Sequence, residues 1–130
     1  MGGADSTLEV DVALPAAPSF AGLARLVVAG VAARSALPVD RMEELQLAVD
    51  TIVRRSAATD SGGLSIRMRP AEHRLSVRVG PLRPEDNELA DLEHVLCGLV
   101  DEFAAHDVDG DVWVDLEVGH RSLTPAAGCP

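Results

Sequence analysis

Two short runs near the middle of the chain, LSIRMRP at residues 64–70 and RLSVRVG at residues 74–80, alternate apolar and polar residues. A period of two is typical of a β-strand that buries one face, and the short polar connection between the runs is typical of a hairpin. The residues predicted to face inward are Leu64, Ile66, Met68, Leu75, Val77 and Val79. The opposite face then carries Arg67, Arg69, Arg74 and Arg78. Such a one-sided sheet has to bury its apolar face against a second layer.

Three segments with helical periodicity can supply that layer. Their predicted inward stripes are Phe20, Leu23, Leu26, Val27 and Val31 in the first, Leu45, Ala48, Val49, Ile52 and Val53 in the second, and Leu89, Leu92, Val95, Leu96, Leu99 and Val100 in the third. Ser19 is expected to cap the first helix, and Asp40 with Glu43 to form a capping box for the second. The stripes indicate that all three helices pack on one face of the sheet.

The order of elements is strand, helix, helix, hairpin, helix, hairpin. It predicts an α+β fold, a two-layer sandwich with three helices on one face of a mixed, largely antiparallel sheet. With 130 residues the chain is expected to form one domain over residues 7–120, preceded by a disordered segment at 1–6 and followed by a flexible tail at 121–130.

The net charge of −10 argues against a nucleic acid or an anionic membrane as partner, because both attract a cationic surface. A protein with a basic patch is a better candidate. No signal peptide is recognisable, and Arg25 and Arg34 interrupt the most apolar stretch, so a cytoplasmic protein is expected.

The sequence offers no recognisable metal site. The histidines are scattered, and the acidic run DVDGD at residues 107–111 fits an Asp-Gly hairpin turn better than a calcium loop. Cys97 and Cys129 form no disulfide framework and are expected to be unpaired thiols.

Three stretches carry a resemblance to a known family: LPAAPS at the end of the first strand, LARLVVAGVAA in the first helix and ELQLAVD in the second. With the order of elements, they resemble the RsbW-type anti-sigma factor kinases, small members of the histidine-kinase-like ATPase superfamily. The resemblance spans roughly Leu8 to Val118. It implies that superfamily's fold, with a truncated lid over the nucleotide pocket.

The resemblance also locates a degenerate pocket at Asp50, Thr51, Arg55 and Gly80. In the family, a catalytic glutamate follows the LAVD stretch and a magnesium-binding asparagine lies four residues later, where this chain has Thr51 and Arg55. Arginine has no acceptor for Mg²⁺, and threonine is no carboxylate base. The Asp-x-Gly-x-Gly box lacks its aspartate before Gly80, and the glycine-rich phosphate loop is missing.

These departures predict a protein without kinase activity, catalytic residues, metal or cofactor. As the resemblance implies, it would regulate transcription by binding a sigma factor or an anti-anti-sigma (STAS-type) protein stoichiometrically. The alternative is a divergent ATP-dependent serine kinase that uses Arg55 on a phosphate and Glu43, Glu44 or Asp50 as acid groups.

Candidate partner contacts lie on two surfaces. Arg25 matches the arginine with which the family grips its sigma factor. On the outer sheet face Arg67, Arg69, Arg78 and Trp113 could contact a partner or a second copy, since the family uses this face in its homodimer. Alternatively, the arginines pair within the sheet with Glu9, Asp11, Asp115 and Glu117, which alternation places on the same face.

Overall fold

The computed structural model describes residues 9–15, 17–58, 63–85 and 87–119. Its elements, in chain order, are β1 (Val10–Pro15), a 3₁₀ turn (Pro18–Phe20), α1 (Ala21–Arg34), α2 (Val39–Ala58), β2 (Gly63–Ala71), β3 (Arg74–Leu82), α3 (Glu88–Leu96), β4 (Glu102–Val108) and β5 (Asp111–Gly119). This is the predicted order of strands and helices. The segments predicted to be disordered at 1–6 and flexible at 121–130 lie outside the described residues.

The strands form one five-stranded sheet in the order β1-β2-β3-β5-β4. Every pairing is antiparallel, so the expectation of a mixed sheet is wrong. Strands β3 and β4, which α3 connects, run in the same direction. The sheet would be mixed if these two strands were neighbours. Instead β5 lies between them and is antiparallel to both.

The core lies between the sheet and the helices, as a two-layer α+β sandwich requires. The predicted stripe of α2 is confirmed, since Leu45, Ala48, Val49, Ile52 and Val53 are all buried. The inward residues of β2 and β3 are likewise buried, and so are Val114, Leu116 and Val118 of β5. Large apolar side chains at regular spacing thus identify the buried face of these elements.

Helix α1 is rotated about its axis relative to the predicted orientation: Val31 is buried and Phe20 and Val27 pack against the core as predicted, but two leucines of the predicted stripe are exposed. Its buried residues are Ala21, Ala24, Val28, Val31 and Ala32, while Leu23 is 44% and Leu26 69% exposed. The helix packs against α2 with its small side chains, which let two helices approach closely. The predicted stripe through Leu23 and Leu26 is therefore wrong for these two residues.

Two predictions about helix ends also fail. Ser19 lies in the 3₁₀ turn, and Phe20 occupies the N-cap position of α1 without a side-chain cap. Asp40 lies inside α2, which begins one residue earlier, so it forms no capping box with Glu43. A separate prediction about burial is also wrong. In α3, which ends at Leu96, Val95 is predicted to face inward, but its side chain is exposed.

The final hairpin turns at Asp109 and Gly110, with φ values of 55° and 89°. Two left-handed residues in succession fit a two-residue turn, and Asp-Gly is a favoured pair for it. The predicted turn is confirmed. No helix among the described residues is long and apolar enough to span a bilayer.

Candidate functional site

The pocket residues that the family resemblance indicates begin on α2. Asp50 is 8% exposed, and its Oδ2 accepts a hydrogen bond from Nε of Arg54 at 3.0 Å, while Oδ1 is buried without a hydrogen-bond partner among the described residues. The Thr51 hydroxyl donates to the carbonyl oxygen of Leu47 at 2.8 Å. Both side chains are thus engaged with their own helix.

Arg55 lies one turn further along α2, at a small cleft between this helix, α3 and the end of β3. Ile52, Leu82, Leu89 and Leu92 contribute its apolar walls, and the cleft holds about 20 Å³. A water molecule needs about 10–15 Å³ of such space, and sites for small ligands are typically about 300 Å³ or more. The cleft beside Arg55, where the resemblance puts a nucleotide, is therefore much smaller than a typical ligand site.

Gly80 faces away from this cleft. It lies opposite Ser65 of β2, at a position that faces the side of the sheet away from the helices. A Cβ added to it would lie 2.6 Å from Cδ2 of Trp113. The indole therefore occupies the space that the glycine leaves free. Gly80 and Arg55 lie on opposite sides of the sheet, so the pocket positions are not brought together.

The outer sheet face carries a set of ion pairs between neighbouring strands. The four pairs are Arg67–Asp11 at 3.3 Å, Arg69–Glu9 at 3.2 Å, Arg74–Glu117 at 2.5 Å and Arg78–Asp115 at 2.7 Å. The alternative that paired these arginines with these four carboxylates within the sheet is confirmed. Their charges are therefore largely balanced before any partner approaches.

Among the described residues of the outer sheet face, Asp115 is the carboxylate with the most side-chain hydrogen bonds. It accepts two hydrogen bonds from Arg78, and Nε2 of His106 lies 2.8 Å from its Oδ2. The Arg78 hydrogen bond is the main cause that holds the pKa of Asp115 below its ordinary value, and His106 acts in the same direction. The hydrogen bond from Arg74 likewise lowers the pKa of Glu117.

The structure also contains a buried arginine, Arg41, that no pattern in the sequence indicates. It is 8% exposed, and its guanidinium donates to Glu44, to Oδ1 of Asp101 at 2.6 Å and to the carbonyl oxygen of Gly119 at 3.3 Å. Asp101 in turn accepts from the Gly119 amide at 2.7 Å. This network ties the start of α2 to the end of β5. Asp101 and Gly119 are distant from Arg41 in sequence, and no local pattern links them to it.

Arg25, the predicted partner contact, lies on the outer side of α1 and is exposed. Its carbonyl oxygen accepts a hydrogen bond from Nε2 of Gln46, which fixes α1 to α2 at this level. Leu23 and Leu26 flank it in sequence and are exposed as well. The outer α1 surface is defined here by the exposed side chains of Leu23, Leu26 and Arg25: the two leucines share one side of the helix, and the arginine projects about 100° further round than Leu26.

Cys97 is disulfide-bonded, so the expectation of an unpaired thiol there is wrong; Cys129 lies outside the described residues. Within the described ranges no three His, Cys, Asp or Glu side chains group as metal ligands. No known family model matches the sequence, and no curated protein matches it.

Proposed function

We propose that this protein is a non-catalytic regulator of the anti-sigma type, which binds a sigma factor or an anti-anti-sigma protein stoichiometrically. The observation that carries the proposal is the outer α1 surface. This helix buries alanines and directs Leu23 and Leu26 outward, with Arg25 between them in sequence. A helix that is apolar on both sides is typical of a buried helix, and a protein partner can cover its outer side.

The composition of this surface suits protein binding. Covering a leucine side chain contributes roughly 1.5–3 kcal/mol, and arginine is among the residues that most often dominate the energy of an interface. The resemblance assigns the sigma-factor contact to Arg25, which the structure leaves exposed. Sequence resemblance and surface chemistry therefore point to the same helix.

Several features support binding without phosphoryl transfer. Phosphoryl transfer depends on a metal, a nucleotide cradle and a residue that orients the nucleophile. The metal-binding asparagine of the family is replaced by Arg55, its catalytic base by Thr51, and the cleft beside Arg55 has about 20 Å³. Asp50, which the kinase alternative needs as an acid group, is paired with Arg54 and does not line that cleft.

The outer sheet face is the weaker candidate for the sigma-factor contact. Arg67, Arg69 and Arg78 already have carboxylate partners within the chain, and a new partner would have to displace them. Trp113 lies half-buried against Gly80, which reduces the area it can offer. We therefore place the sigma-factor contact on α1 and leave the sheet face as the homodimer surface of this proposal.

Transcription in vitro tests the proposal directly. RNA polymerase core enzyme from the host is combined in turn with each of its sigma factors, and increasing amounts of this protein are added. We expect transcription with one sigma factor to stop at about one protein per sigma factor, equally with and without pre-incubation with ATP and Mg²⁺. Inhibition that requires ATP, or labelling of an anti-anti-sigma protein by radioactive ATP, would support the kinase alternative instead.

Matched variants identify the surface. Arg25→Glu is compared with Arg34→Glu, an equal charge change at the end of the same helix, and Leu26→Asp with Val95→Asp, an exposed apolar residue of α3. Arg25→Glu and Leu26→Asp are expected to weaken inhibition about tenfold or more, a loss of about 1.4 kcal/mol. If all four variants inhibit as well as the wild type, the α1 surface is not the contact.

A further inference from the structure

Strand β4 is a free edge of the sheet. It comes last in the strand order and, among the described residues, pairs only with β5. Its register runs without interruption from Glu102, opposite Glu117, to Val108, opposite Asp111. One side of its backbone therefore presents N–H and C=O groups that no described residue pairs with, along a strand of seven residues.

This edge has one of the devices that discourage strand pairing, a charge on the helix side of the sheet at Asp107, and lacks several others. Its sequence, EFAAHDV, contains no proline and no lysine, and its pairing with β5 has no bulge. Every β4 residue is exposed except Phe103, which is half-buried. Ala105 and Asp107 are exposed although they lie on the helix side of the sheet, opposite Val114 and Val112, so the helical layer leaves this strand accessible.

The opposite edge is better protected. Strand β1 is shorter, ends at Pro15, and carries Asp11, which is paired with Arg67 of the neighbouring strand. Proline and engaged charges are common ways to block an edge. The two edges of the same sheet thus differ in how open they are to a further strand.

The charge around β4 indicates what an added strand would carry. Residues 101–111 contain five carboxylates and no lysine or arginine. Asp101 and Asp111 are neutralised by Arg41 and Arg83. Glu102 has only a distant cation, Arg74 at 3.9 Å, and within the described ranges Asp107 and Asp109 form no ion pair.

We propose that β4 is a second interaction surface, where an extended basic segment of a partner protein pairs as a sixth strand. Interstrand hydrogen bonds would supply affinity, and side chains would supply specificity. Glu102 lies on the outer face of the sheet and Asp107 on the helix side, five positions further along. The best segment therefore has two basic residues with four residues between them, which places one on each face.

A second copy of this chain is a poorer occupant of the edge. Each copy carries a net charge of −10, and pairing β4 with β4 would bring two of these acidic hairpins together. Like charges placed opposite each other destabilise strand pairs. The proposal concerns a different element from α1 and does not depend on the anti-sigma assignment.

A defined peptide tests the proposal with the full-length protein. The probe is a fluorescein-labelled octapeptide, Thr-Lys-Val-Thr-Thr-Val-Lys-Thr, with its termini blocked, and binding is followed by fluorescence anisotropy. The first control has the same sequence with alternate backbone amides methylated on the edge that would face β4, which keeps the charge and removes hydrogen bonds. We expect the methylated peptide to bind about tenfold more weakly or worse, since several interstrand hydrogen bonds are lost.

Protein variants provide the second control. Glu102→Lys with Asp107→Lys places lysines on the edge, whereas Glu43→Lys with Glu93→Lys changes the net charge equally on two helices. The β4 pair is expected to lose about tenfold in affinity or more, and the helix pair about threefold or less. Hydrogen exchange of the β4 amides should slow when the unmodified peptide is added.

Three results would overturn the proposal. The methylated and unmodified peptides could bind equally, which would show that only charge attracts them. The β4 and helix variants could lose affinity equally. Finally, sedimentation could show a dimer whose β4 amides are already protected without peptide, in which case a second copy occupies the edge.

Discussion

The guanidinium of Arg78 on β3 and the carboxylate of Asp115 on β5 lie directly opposite each other and share two hydrogen bonds, at 2.7 and 3.0 Å. On the other side, Arg78 lies opposite Arg67 of β2, a pairing of like charges. Cross-strand like charges are unfavourable, and each arginine is engaged by a carboxylate on its outer neighbour. The face is therefore ordered as an acid, two bases and an acid across four strands.

This arrangement predicts that Asp115→Asn loses stability in a manner that depends on pH. The pKa of Asp115 is lowered from 3.8 in the folded protein, so its stabilisation is complete above that value and is lost as pH falls through the lowered one. Because the pair is partly exposed, we expect a loss of about 0.2–1 kcal/mol at pH 7. Urea unfolding of both proteins at several pH values measures it.

The difference between wild type and Asp115→Asn should shrink as the pH falls below about 4, because the carboxyl takes up a proton in the unfolded chain before it does so in the folded protein, where its pKa is lowered. Glu93→Gln, which removes an exposed carboxylate from α3, serves as the control and should change little. A stability difference that is the same at pH 7 and pH 3 would contradict the role given to the charge.

The contact between Gly80 and Trp113 leads to a second prediction. Gly80→Ala would place a methyl group 2.6 Å from the indole, and we expect a loss of about 1–3 kcal/mol in the free energy of unfolding. Tryptophan fluorescence should report the displacement, since Trp113 is the single tryptophan. The double variant with Trp113→Val should recover part of the loss, as the two changes are coupled.

Gly30→Ala is the matched control for this substitution. Gly30 lies within α1, and an added Cβ there meets nothing within 4 Å. Alanine is the better helix former, so we expect this variant to gain about 0.5–1 kcal/mol. Equal losses for both glycine variants would mean that the indole contact is not the cause.

The buried network of Arg41 supports a third prediction. Arg41→Ala leaves the half-buried carboxylate of Asp101 without its cation and removes a link between α2 and β5, and we expect a loss of about 1–3 kcal/mol. Arg41→Lys should recover little, because one ammonium cannot reproduce the fork that reaches three acceptors. Arg34→Ala, at the exposed end of α1, should stay within about 0.5 kcal/mol of wild type in urea unfolding.

Titration with ATP and Mg²⁺ provides a fourth prediction. We expect calorimetry to detect no saturable binding at micromolar nucleotide, because Arg55 brings a cation to the position that the resemblance assigns to the metal ligand and the adjoining cleft has about 20 Å³. Micromolar binding that weakens on Asp50→Ala would favour the divergent kinase. Inorganic triphosphate is a useful control, since it reveals binding by charge alone.

The sequence predicts some parts of this structure well for physical reasons. On α2 and the sheet, large apolar residues recur at the period of the element and have to be buried, so their faces follow from the pattern. The outward-facing residues of β2 and β3 include arginines. Carboxylates at the matching positions of β1 and β5 predict the ion pairs with them. Alternation alone determines these faces.

Other features could not be predicted because they depend on contacts between distant segments. The alanine face of α1 is buried through close contact with α2, which a count of large side chains overlooks. The order of β4 and β5 decides whether the sheet is mixed, and Arg41 acquires its partners only when Asp101 and Gly119 are brought to it. The pocket positions could be selected from a resemblance, but their separation by the sheet depends on the direction that Gly80 faces.

The exposure of Leu26 and the burial of Ala24 on α1 lead to the last prediction. Leu26 is 69% exposed, so Leu26→Gln should change the free energy of unfolding by no more than about 0.5 kcal/mol. Ala24 is fully buried against α2, so Ala24→Leu should overfill the contact and cost about 1–3 kcal/mol. In a helix with the originally predicted stripe the leucine would be the costly position, so urea unfolding of the two variants distinguishes the orientations. If Leu26→Gln also weakens inhibition of transcription while the fold stays intact, this leucine is retained on the surface for binding.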